Sequence, residues 1–208
     1  MILRPRLEDL KIIGFYLGKI ILGLAFTMSI PILIGLFSGE INPALDFLIS
    51  IEIAIISGLF LIKACRTEKD LNWMQGMIVV SLSWVAAMIL GAVPLYLSGH
   101  WKSFLDACFD AMSGFATTGL TLVQDLDHLS YTHNLWRHLI MFLGGQGIVV
   151  IALSFFVRGF SGAFKMYVGE GRDEKIMPNV IHTSRFIWLV SITYLILGTL
   201  TLGMTGIF

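Results

Sequence analysis

Long apolar stretches alternate with short polar segments along most of the chain. A helix that spans a lipid bilayer needs about 20 mostly apolar residues, and five of the stretches are of about that length. Each is therefore predicted to form a transmembrane helix, with the approximate bounds Ile12–Phe37, Ala44–Ile62, Trp73–Leu97, Leu135–Val157 and Phe186–Thr205.

A sixth apolar stretch, from about Trp101 to Phe115, is too short to span a bilayer, and it leads directly into the run Thr-Thr-Gly-Leu-Thr at 117–121. A non-helical Thr/Gly run at membrane depth is costly because its carbonyl groups lose water, so it is tolerated only where it is buried in protein or lines a wet pathway. Potassium filters use rows of backbone carbonyls in place of the ion's hydration shell. The pattern predicts an all-α polytopic membrane protein with five transmembrane helices, one re-entrant half-helix and a pore loop.

Composition and charge support a membrane protein. The 208 residues are 56% hydrophobic and 13% charged, and the net charge is zero. These values are typical of membrane proteins and give no indication of a nucleic-acid partner. The first apolar stretch is longer than the ~7–15 residues of a signal-peptide core, and no A-x-A site follows it. It is therefore predicted to be a transmembrane helix rather than a cleaved signal.

The basic residues predict the orientation of the chain. All but two of the 14 Lys and Arg residues lie at one set of predicted helix ends, and the two exceptions are Lys102 and Arg137. Because basic residues concentrate on the cytoplasmic side of membrane proteins, the amino terminus is predicted to be cytoplasmic. The half-helix and the Thr/Gly run then enter from the outside.

A half-helix that enters from the outside directs its carboxyl end toward the membrane centre, where the partial negative charge of the helix dipole favours a cation. Asp106 and Asp110 are four residues apart and share a helix face. Their charges add to that field, or Asp110 instead accepts hydrogen bonds from the backbone that follows and fixes the loop. The alternative interpretation is an interfacial amphipathic turn with both acids in water.

Glycines mark two further features. Gly119 offers the backbone dihedrals that a row of carbonyls facing one side requires, although a glycine-terminated helix end is the alternative interpretation. Gly144, Gly145 and Gly147 lie within the fourth predicted span, where they favour close packing of helices or a bend. They do not complete a G-x-G-x-x-G motif and lie mid-membrane, so a dinucleotide site is excluded.

Other polar residues receive simpler interpretations. Glu52 lies deep in the second predicted span and is expected to face inward to a partner, because an intramembrane carboxylate is costly. Arg137 is expected to anchor at the membrane interface or to pair with an acid of the loop region. Cys65 and Cys108 are expected to be small apolar filler. The five histidines are expected to be solvated: His100, His128, His133, His138 and His182.

Two segments, SGFATTGLT at 113–121 and LWRHLIMFLGGQGIVVIAL at 135–153, together resemble the first repeat of the Trk/Ktr/HKT potassium transporter superfamily, and most closely its TrkH/TrkG-type membrane subunits. In that family a helix–pore loop–helix unit occurs four times in one chain, and each loop supplies a quarter of a potassium filter. Residues 170–188 resemble the linker to the second repeat. The resemblance implies an amino-terminal hairpin at 1–72, the first repeat at 73–160, and the linker with the first helix of a second repeat at 161–208.

The resemblance also implies roles for individual residues. The filter residues, whose backbone would bind potassium, are Thr117, Thr118, Gly119 and Leu120. The residues of the pore helix that support the filter are Asp106, Asp110, Ser113 and Gly114. The glycines that pack the outgoing helix are Gly144, Gly145 and Gly147. One departure from the family pattern is Gln146, at a position where methionine is expected.

The function that the resemblance implies is potassium uptake across a bacterial inner membrane, without enzymatic activity and with no cofactor besides the transported potassium. The implied partners are membrane lipid, a second copy in a homodimer and a cytosolic nucleotide-binding regulatory subunit of the TrkA type. One loop cannot surround an ion, so the chain is expected to be the amino-terminal part of such a subunit and to move no potassium alone. The alternatives are a non-transporting membrane fragment or assembly protein, and an intramembrane serine protease that uses Ser113 and a histidine.

Overall fold

The computed structural model describes residues 7–147 and 180–205, and neither range contains a strand. The helices in chain order are α1 (Leu7–Thr27), α2 (Ser29–Phe37), α3 (Ile41–Ala64), α4 (Trp73–Leu97), α5 (Phe104–Phe115), α6 (Tyr131–Gln146) and α7 (Val180–Met204). Within these residues, four segments are long and apolar enough to cross a membrane: Leu7–Phe37, Ile41–Ala64, Trp73–Leu97 and Phe186–Met204. The predicted all-α, polytopic membrane architecture is confirmed.

Three predicted spans occur close to their predicted bounds, as α3, α4 and α7. The first predicted span consists of two helices, α1 and α2, with an interruption at Met28. Pro31 explains the interruption, because proline has no N–H to donate to the carbonyl of Thr27 and cannot continue the helical hydrogen bonds. The fourth predicted span is described only as far as Gly147, and its remainder lies outside the described residues.

The contact between α1 and α3 is the most extensive one between helices in the described part of the chain. Gly18 of α1 faces Gly58 of α3, and a Cβ atom on Gly18 would lie 2.7 Å from the carbonyl oxygen of Gly58. Small residues at such positions allow membrane helices to approach closely. The remaining buried residues of α3 lie along the same side of the helix: Ala44, Phe47, Ser50 and Ala54.

The helices α4 and α6 pack against α5 and bury its last residue, Phe115. Gly91 of α4 leaves room for the Phe115 ring, which would lie 3.0 Å from a Cβ atom at that position. The carbonyl of Gly91 also accepts the indole N–H of Trp136 from α6 at 3.0 Å. This part of the core therefore lies directly beside the point where the Thr/Gly run begins.

Helix α7 packs loosely, and its described side chains are exposed or half-buried. Its Trp188 ring packs edge-on against Phe142 of α6, with 5.7 Å between ring centroids. The Ser191 hydroxyl donates to Oε1 of Gln146 at 3.0 Å. The Gln146 amide therefore makes a polar contact between α6 and α7.

Candidate pore loop and its supports

Helix α5 is short because both of its ends are defined by local hydrogen bonds. Ser103 precedes the helix, and its hydroxyl accepts the backbone N–H of Asp106 at 3.1 Å, as an N-cap residue does. Twelve residues follow, from Phe104 to Phe115, which corresponds to about 18 Å. That length is roughly half of what a spanning helix needs.

The carboxyl end of α5 is an unusual helix cap. The N–H of Thr118 donates to the Ser113 carbonyl at 2.8 Å, and the N–H of Thr117 donates to the Gly114 carbonyl at 2.9 Å. This pair of bonds is the Schellman pattern, in which the residue in the left-handed conformation is usually glycine. Here it is Thr117, with φ 56°, which is strained for a β-branched residue.

Gly119 does not serve as the helix cap, since Thr117 already holds that position. Gly119 adopts φ 78° two residues later, so two of these three consecutive residues have a left-handed backbone conformation. The predicted filter residues 117–120 are all exposed. The alternative interpretation of Gly119 as the cap glycine of α5 is therefore wrong.

Asp110 connects α5 to the chain that leaves the loop. Its Oδ2 accepts three hydrogen bonds: from the Trp101 indole at 2.6 Å, from the Thr121 hydroxyl at 2.6 Å and from the Leu122 backbone N–H at 3.3 Å. Asp110 is only 5% exposed, and a buried carboxylate needs such donors. Asp110 thus has the second of the two roles considered for it, which is to fix the backbone that follows.

Asp106 has a different environment from Asp110. It lies in the first turn of α5, half-buried, where an acid interacts favourably with the positive end of the helix dipole. The sequence predicted the bond from the following backbone to Asp110 as one of two alternatives, but the Trp101 and Thr121 side chains were not predicted as its donors. A signal was present, because a buried tryptophan requires an acceptor for its N–H and Trp101 lies nine residues before Asp110.

Helix α6 is held against the end of α5 by glycine. A Cβ atom on Gly144 would overlap the carbonyl oxygen of Phe115, whereas one on Gly145 would lie 3.6 Å from the Thr117 methyl group, an ordinary contact. From the other side, a Cβ atom on Gly114 would lie 2.6 Å from Ile140. Gly147 ends α6 with φ 87°. The glycines of α6 therefore differ in role: Gly144 packs against the backbone of α5, whereas a Cβ atom on Gly145 would meet only a side chain.

The amino terminus of α6 is held by the turn between α2 and α3. The Glu40 carboxylate accepts the backbone N–H groups of Tyr131 and Thr132, each at 2.9 Å, and the Thr132 hydroxyl at 2.6 Å. Partial burial of Glu40 acts to raise its pKa, but these hydrogen bonds outweigh that effect and lower the pKa below its usual value. An ionised acid at this position also complements the helix dipole.

His133 is buried, and the prediction that it is solvated is wrong. It is 2% exposed, its ring centroid lies 5.4 Å from that of Phe47, and its Nδ1 lies 2.7 Å from the Ser130 hydroxyl. It shares the side of α6 that carries Trp136, three residues later, and that side packs onto α3. His128, in contrast, lies in an exposed turn beside Asp125.

Glu52 does not face inward, so that prediction is also wrong for the described structure. Glu52 is exposed, on the side of α3 opposite the residues that pack onto α1. No described residue donates a hydrogen bond to it or pairs with it. Ser50 is buried, and two residues along a helix correspond to about 200° of rotation, which turns Glu52 outward.

Arg137 lies beside the loop. Together with Asp110 it lines a small, partly open cavity of about 40 Å³ behind the filter residues, and the other lining residues are Gly114, Gly119, Leu120, His138, Ile140 and Met141. Its Nε is buried and has no hydrogen-bond partner in the described part of the chain. Arg137 also forms no ion pair with a loop acid within residues 7–147, so this one of its two predicted alternatives is not observed there.

Ser113 gives no support to the protease interpretation. It is 6% exposed, and its hydroxyl has no hydrogen-bond partner among the described residues. Ser113 is therefore not part of a hydrogen-bonded serine–histidine pair of the kind that activates a serine nucleophile. The Ser113 carbonyl is instead an acceptor in the helix cap that precedes the loop.

Comparison with known proteins identifies similar chains. The sequence model of the TrkH family, described as cation transport proteins, matches residues 45–206. An uncharacterized cation transporter of Methanocaldococcus jannaschii is 34% identical over 96% of this chain and 42% of its own length. The Trk system potassium uptake protein TrkG of Escherichia coli is 27% identical over 92% of this chain and 40% of its own. TrkH of Halomonas elongata is 29% identical over 89% and 39%.

The chain spans about 40% of the length of these curated relatives. The matches agree with the resemblance that the two sequence motifs predicted. Their descriptions are those of transport proteins rather than enzymes, as was also predicted. The matched residues include the whole of α4, α5 and α6 and therefore the loop between α5 and α6.

Proposed function

The chain belongs to the TrkH family of cation transport proteins, and from this premise we propose that its loop at 117–120 forms one wall of a potassium filter in a membrane transporter. The observation that carries the proposal is the backbone of the loop. A threonine in the left-handed conformation follows a short capped helix, and a left-handed glycine comes two residues later. Strained backbone of this kind persists only where its surroundings hold it, and it concentrates at functional sites.

The proposed mechanism is permeation rather than catalysis. A potassium ion loses part of its hydration shell and is held by the backbone carbonyls of Thr117, Thr118, Gly119 and Leu120. The carboxyl end of α5 adds the negative end of a helix dipole near the ion. One loop supplies one wall of such a site, so the loop acts together with further loops of the assembled transporter.

In this proposal the polar and glycine residues around the loop act as supports. Asp110 holds the outgoing chain through Thr121 and Leu122, and Ser113 and Gly114 supply the carbonyls that cap α5. Gly144 lets α6 contact Phe115, while Asp106 stabilises the start of α5. Gly145 and Gly147 complete the packing and the end of α6.

The chain is a multi-pass membrane protein, and we propose that it lies in the bacterial inner membrane with its amino terminus in the cytoplasm. A homodimer and a nucleotide-binding subunit of the TrkA type are proposed partners, by analogy with Trk systems.

The proposed orientation of the chain in the membrane has a direct test. In the full-length protein without Cys65 and Cys108, His128→Cys should react with a membrane-impermeant thiol reagent added outside intact cells. Reaction only after permeabilisation would reverse the orientation.

The filter role is tested with two glycines that have the same backbone conformation. Gly119 has φ 78° and Gly99 has φ 75°. A Cβ atom on Gly119 would have the Met141 methyl group as its nearest neighbour, at 3.7 Å, and a Cβ atom on Gly99 would have no neighbour within 4 Å. An alanine in this conformation costs roughly 1–2 kcal/mol at either position. Only Gly119 lies in the proposed filter.

We expect Gly119→Ala in the full-length transporter to lower the ratio of potassium to sodium uptake by about tenfold, which corresponds to 1.4 kcal/mol. Gly99→Ala should leave that ratio unchanged. Uptake is measured in cells that lack other potassium transporters, and it is normalised to the amount of protein in the membrane. Equal ratios for the two variants at equal membrane amounts would contradict the filter role of the loop.

A further inference from the structure

Arg137 holds an unsatisfied donor directly behind the loop. It lies on α6, and its side chain lines the cavity that Gly119 and Leu120 close from the loop side. Its Nε is buried without a partner among the described residues. Burial of an unpaired donor is costly, and more so when the group is charged.

Asp110 lines the same cavity. Its Oδ2 already receives three donors, whereas no hydrogen bond to Oδ1 occurs in the described structure. The two charged groups lie too far apart for an ion pair, since no nitrogen of Arg137 comes within 4.0 Å of the carboxylate in residues 7–147. They therefore border one space without forming an ion pair.

We propose that Arg137 is a positioning residue of the filter, which acts through Asp110 by way of a water molecule held in this cavity. The inference rests on the proposed function of the loop. A cavity of about 40 Å³ has room for a water, and a buried water needs polar partners on more than one side. The water accepts the Nε–H of Arg137 and donates to Asp110, which fixes the carboxylate that holds Thr121 and Leu122. Water-mediated bonds of this kind are nearly as favourable in enthalpy as direct ones.

The proposal distinguishes the Nε–H from the positive charge of Arg137. Lysine keeps the charge but lacks the planar fork of donors, so Arg137→Lys should lose the bridge, and Arg137→Met should lose both bridge and charge. We expect each variant of the full-length transporter to lower the potassium-to-sodium uptake ratio on the order of tenfold. The control is Lys102→Met. Lys102 is the other basic residue on the same predicted side of the membrane and is exposed, so its replacement should leave the ratio unchanged.

A double-mutant cycle tests whether Arg137 acts through Asp110. Asp110→Asn should lower the ratio by itself, and Arg137→Met added to it should change the ratio less than twofold, because coupled residues are not additive. Independent, multiplying effects would overturn the proposal, as would a wild-type ratio for Arg137→Lys. If Arg137→Met does not accumulate in the membrane, Arg137→Lys in the same cycle decides the question.

The outcome for Gly119 separates this inference from the proposed function. If Gly119→Ala lowers the ratio and the Arg137 variants do not, only the role of Arg137 is wrong. If Gly119→Ala also leaves the ratio unchanged, the loop is not a filter, and Arg137 has no filter to position.

Discussion

Among the glycine-dependent helix contacts of the described residues, two differ in where along the helices they occur. In the amino-terminal hairpin, Gly18 and Gly58 bring α1 and α3 together in the middle of both helices. In the loop region, Gly144 brings α6 against Phe115, the last residue of α5. A displacement of the helices at the first contact can be distributed over the helical residues on either side. A displacement at the second contact reaches the strained Thr117, which lies only two residues after Phe115.

Glycine therefore stabilises the packing of two helices at one contact and sets the backbone geometry of the loop at the other. Membrane helices associate through close contacts of small residues, and both contacts follow that rule. Only the second is connected to a segment whose exact backbone conformation matters for the proposed function. We therefore expect variants of the hairpin to change how much transporter is present, and variants of the loop contact to change what the transporter selects.

The largest effect is expected for Gly144→Ala in the full-length transporter. Its Cβ atom would overlap the carbonyl oxygen of Phe115, and a backbone atom cannot move aside as a flexible side chain can. Overpacking costs about 1–3 kcal/mol, which corresponds to roughly a fivefold to 150-fold effect on a geometry-dependent step. Potassium uptake per inserted protein should fall by a factor in that range, together with the potassium-to-sodium ratio.

The neighbouring glycine supplies the matched control. A Cβ atom on Gly145 makes only an ordinary contact at 3.6 Å with the Thr117 methyl group, so Gly145→Ala should retain more than half of wild-type uptake. If the two variants lose uptake equally, the effect comes from replacing glycine in α6 in general. The specific contact with Phe115 would then have no special importance.

A smaller effect, of a different kind, is expected for Gly18→Ala. The new Cβ atom would lie 2.7 Å from the Gly58 carbonyl oxygen and 2.9 Å from Ile62, so α1 and α3 must separate slightly, at a cost of about 1–3 kcal/mol. The amount of folded transporter and its thermal midpoint should fall. The potassium-to-sodium ratio of the protein that remains should not change, and a changed ratio would remove the distinction between the two contacts.

Sequence reasoning succeeded where periodicity and length carry the information. The apolar stretches predicted the bounds of α4 and, within three residues, those of α3, whereas α7 begins six residues before its predicted start. The short stretch before the Thr/Gly run predicted α5. The position of Gly144 within a glycine cluster indicated a close contact, but not which of three glycines makes it. That distinction depends on the rotation of α6 relative to α5, which no local pattern determines.

The errors came from contacts between segments distant in the chain. His133 and Glu52 were each judged by their position along a predicted span, whereas burial depends on which side of the helix packs. His133 lies on the side of α6 that meets Phe47, and Glu52 lies on the exposed side of α3. The hydrogen bond that the Thr132 hydroxyl donates to Glu40 joins residues 92 positions apart, and the sequence contains no signal for it.

The smallest effect is expected for Glu40→Gln, which tests whether the two regions are linked through α6. The carboxylate of Glu40 belongs to the hairpin and caps the first turn of α6, whose other end contacts Phe115. Removing an acid from a helix amino terminus costs about 0.3–1 kcal/mol, so the full-length transporter should melt slightly lower at pH 7. Asp127→Asn, in an exposed turn on the same side, is the control and should not change the melting temperature.

The difference in melting temperature between wild type and Glu40→Gln should depend on pH, because it reflects the ionised form of Glu40. Hydrogen bonds from Thr132 and Tyr131, acting against partial burial, lower the pKa of Glu40 in the folded protein. A carboxyl whose pKa is lower in the folded state contributes its full stabilisation above its unfolded pKa and loses it as the pH falls through the folded value. The difference in melting temperature between wild type and Glu40→Gln should therefore be constant from pH 7 to about pH 5 and close only at lower pH, since an unfolded Glu titrates near pH 4.3. A difference that grows on acidification would mean that the neutral carboxyl, and not the charged one, holds α6. The hairpin would then support the loop region through packing alone.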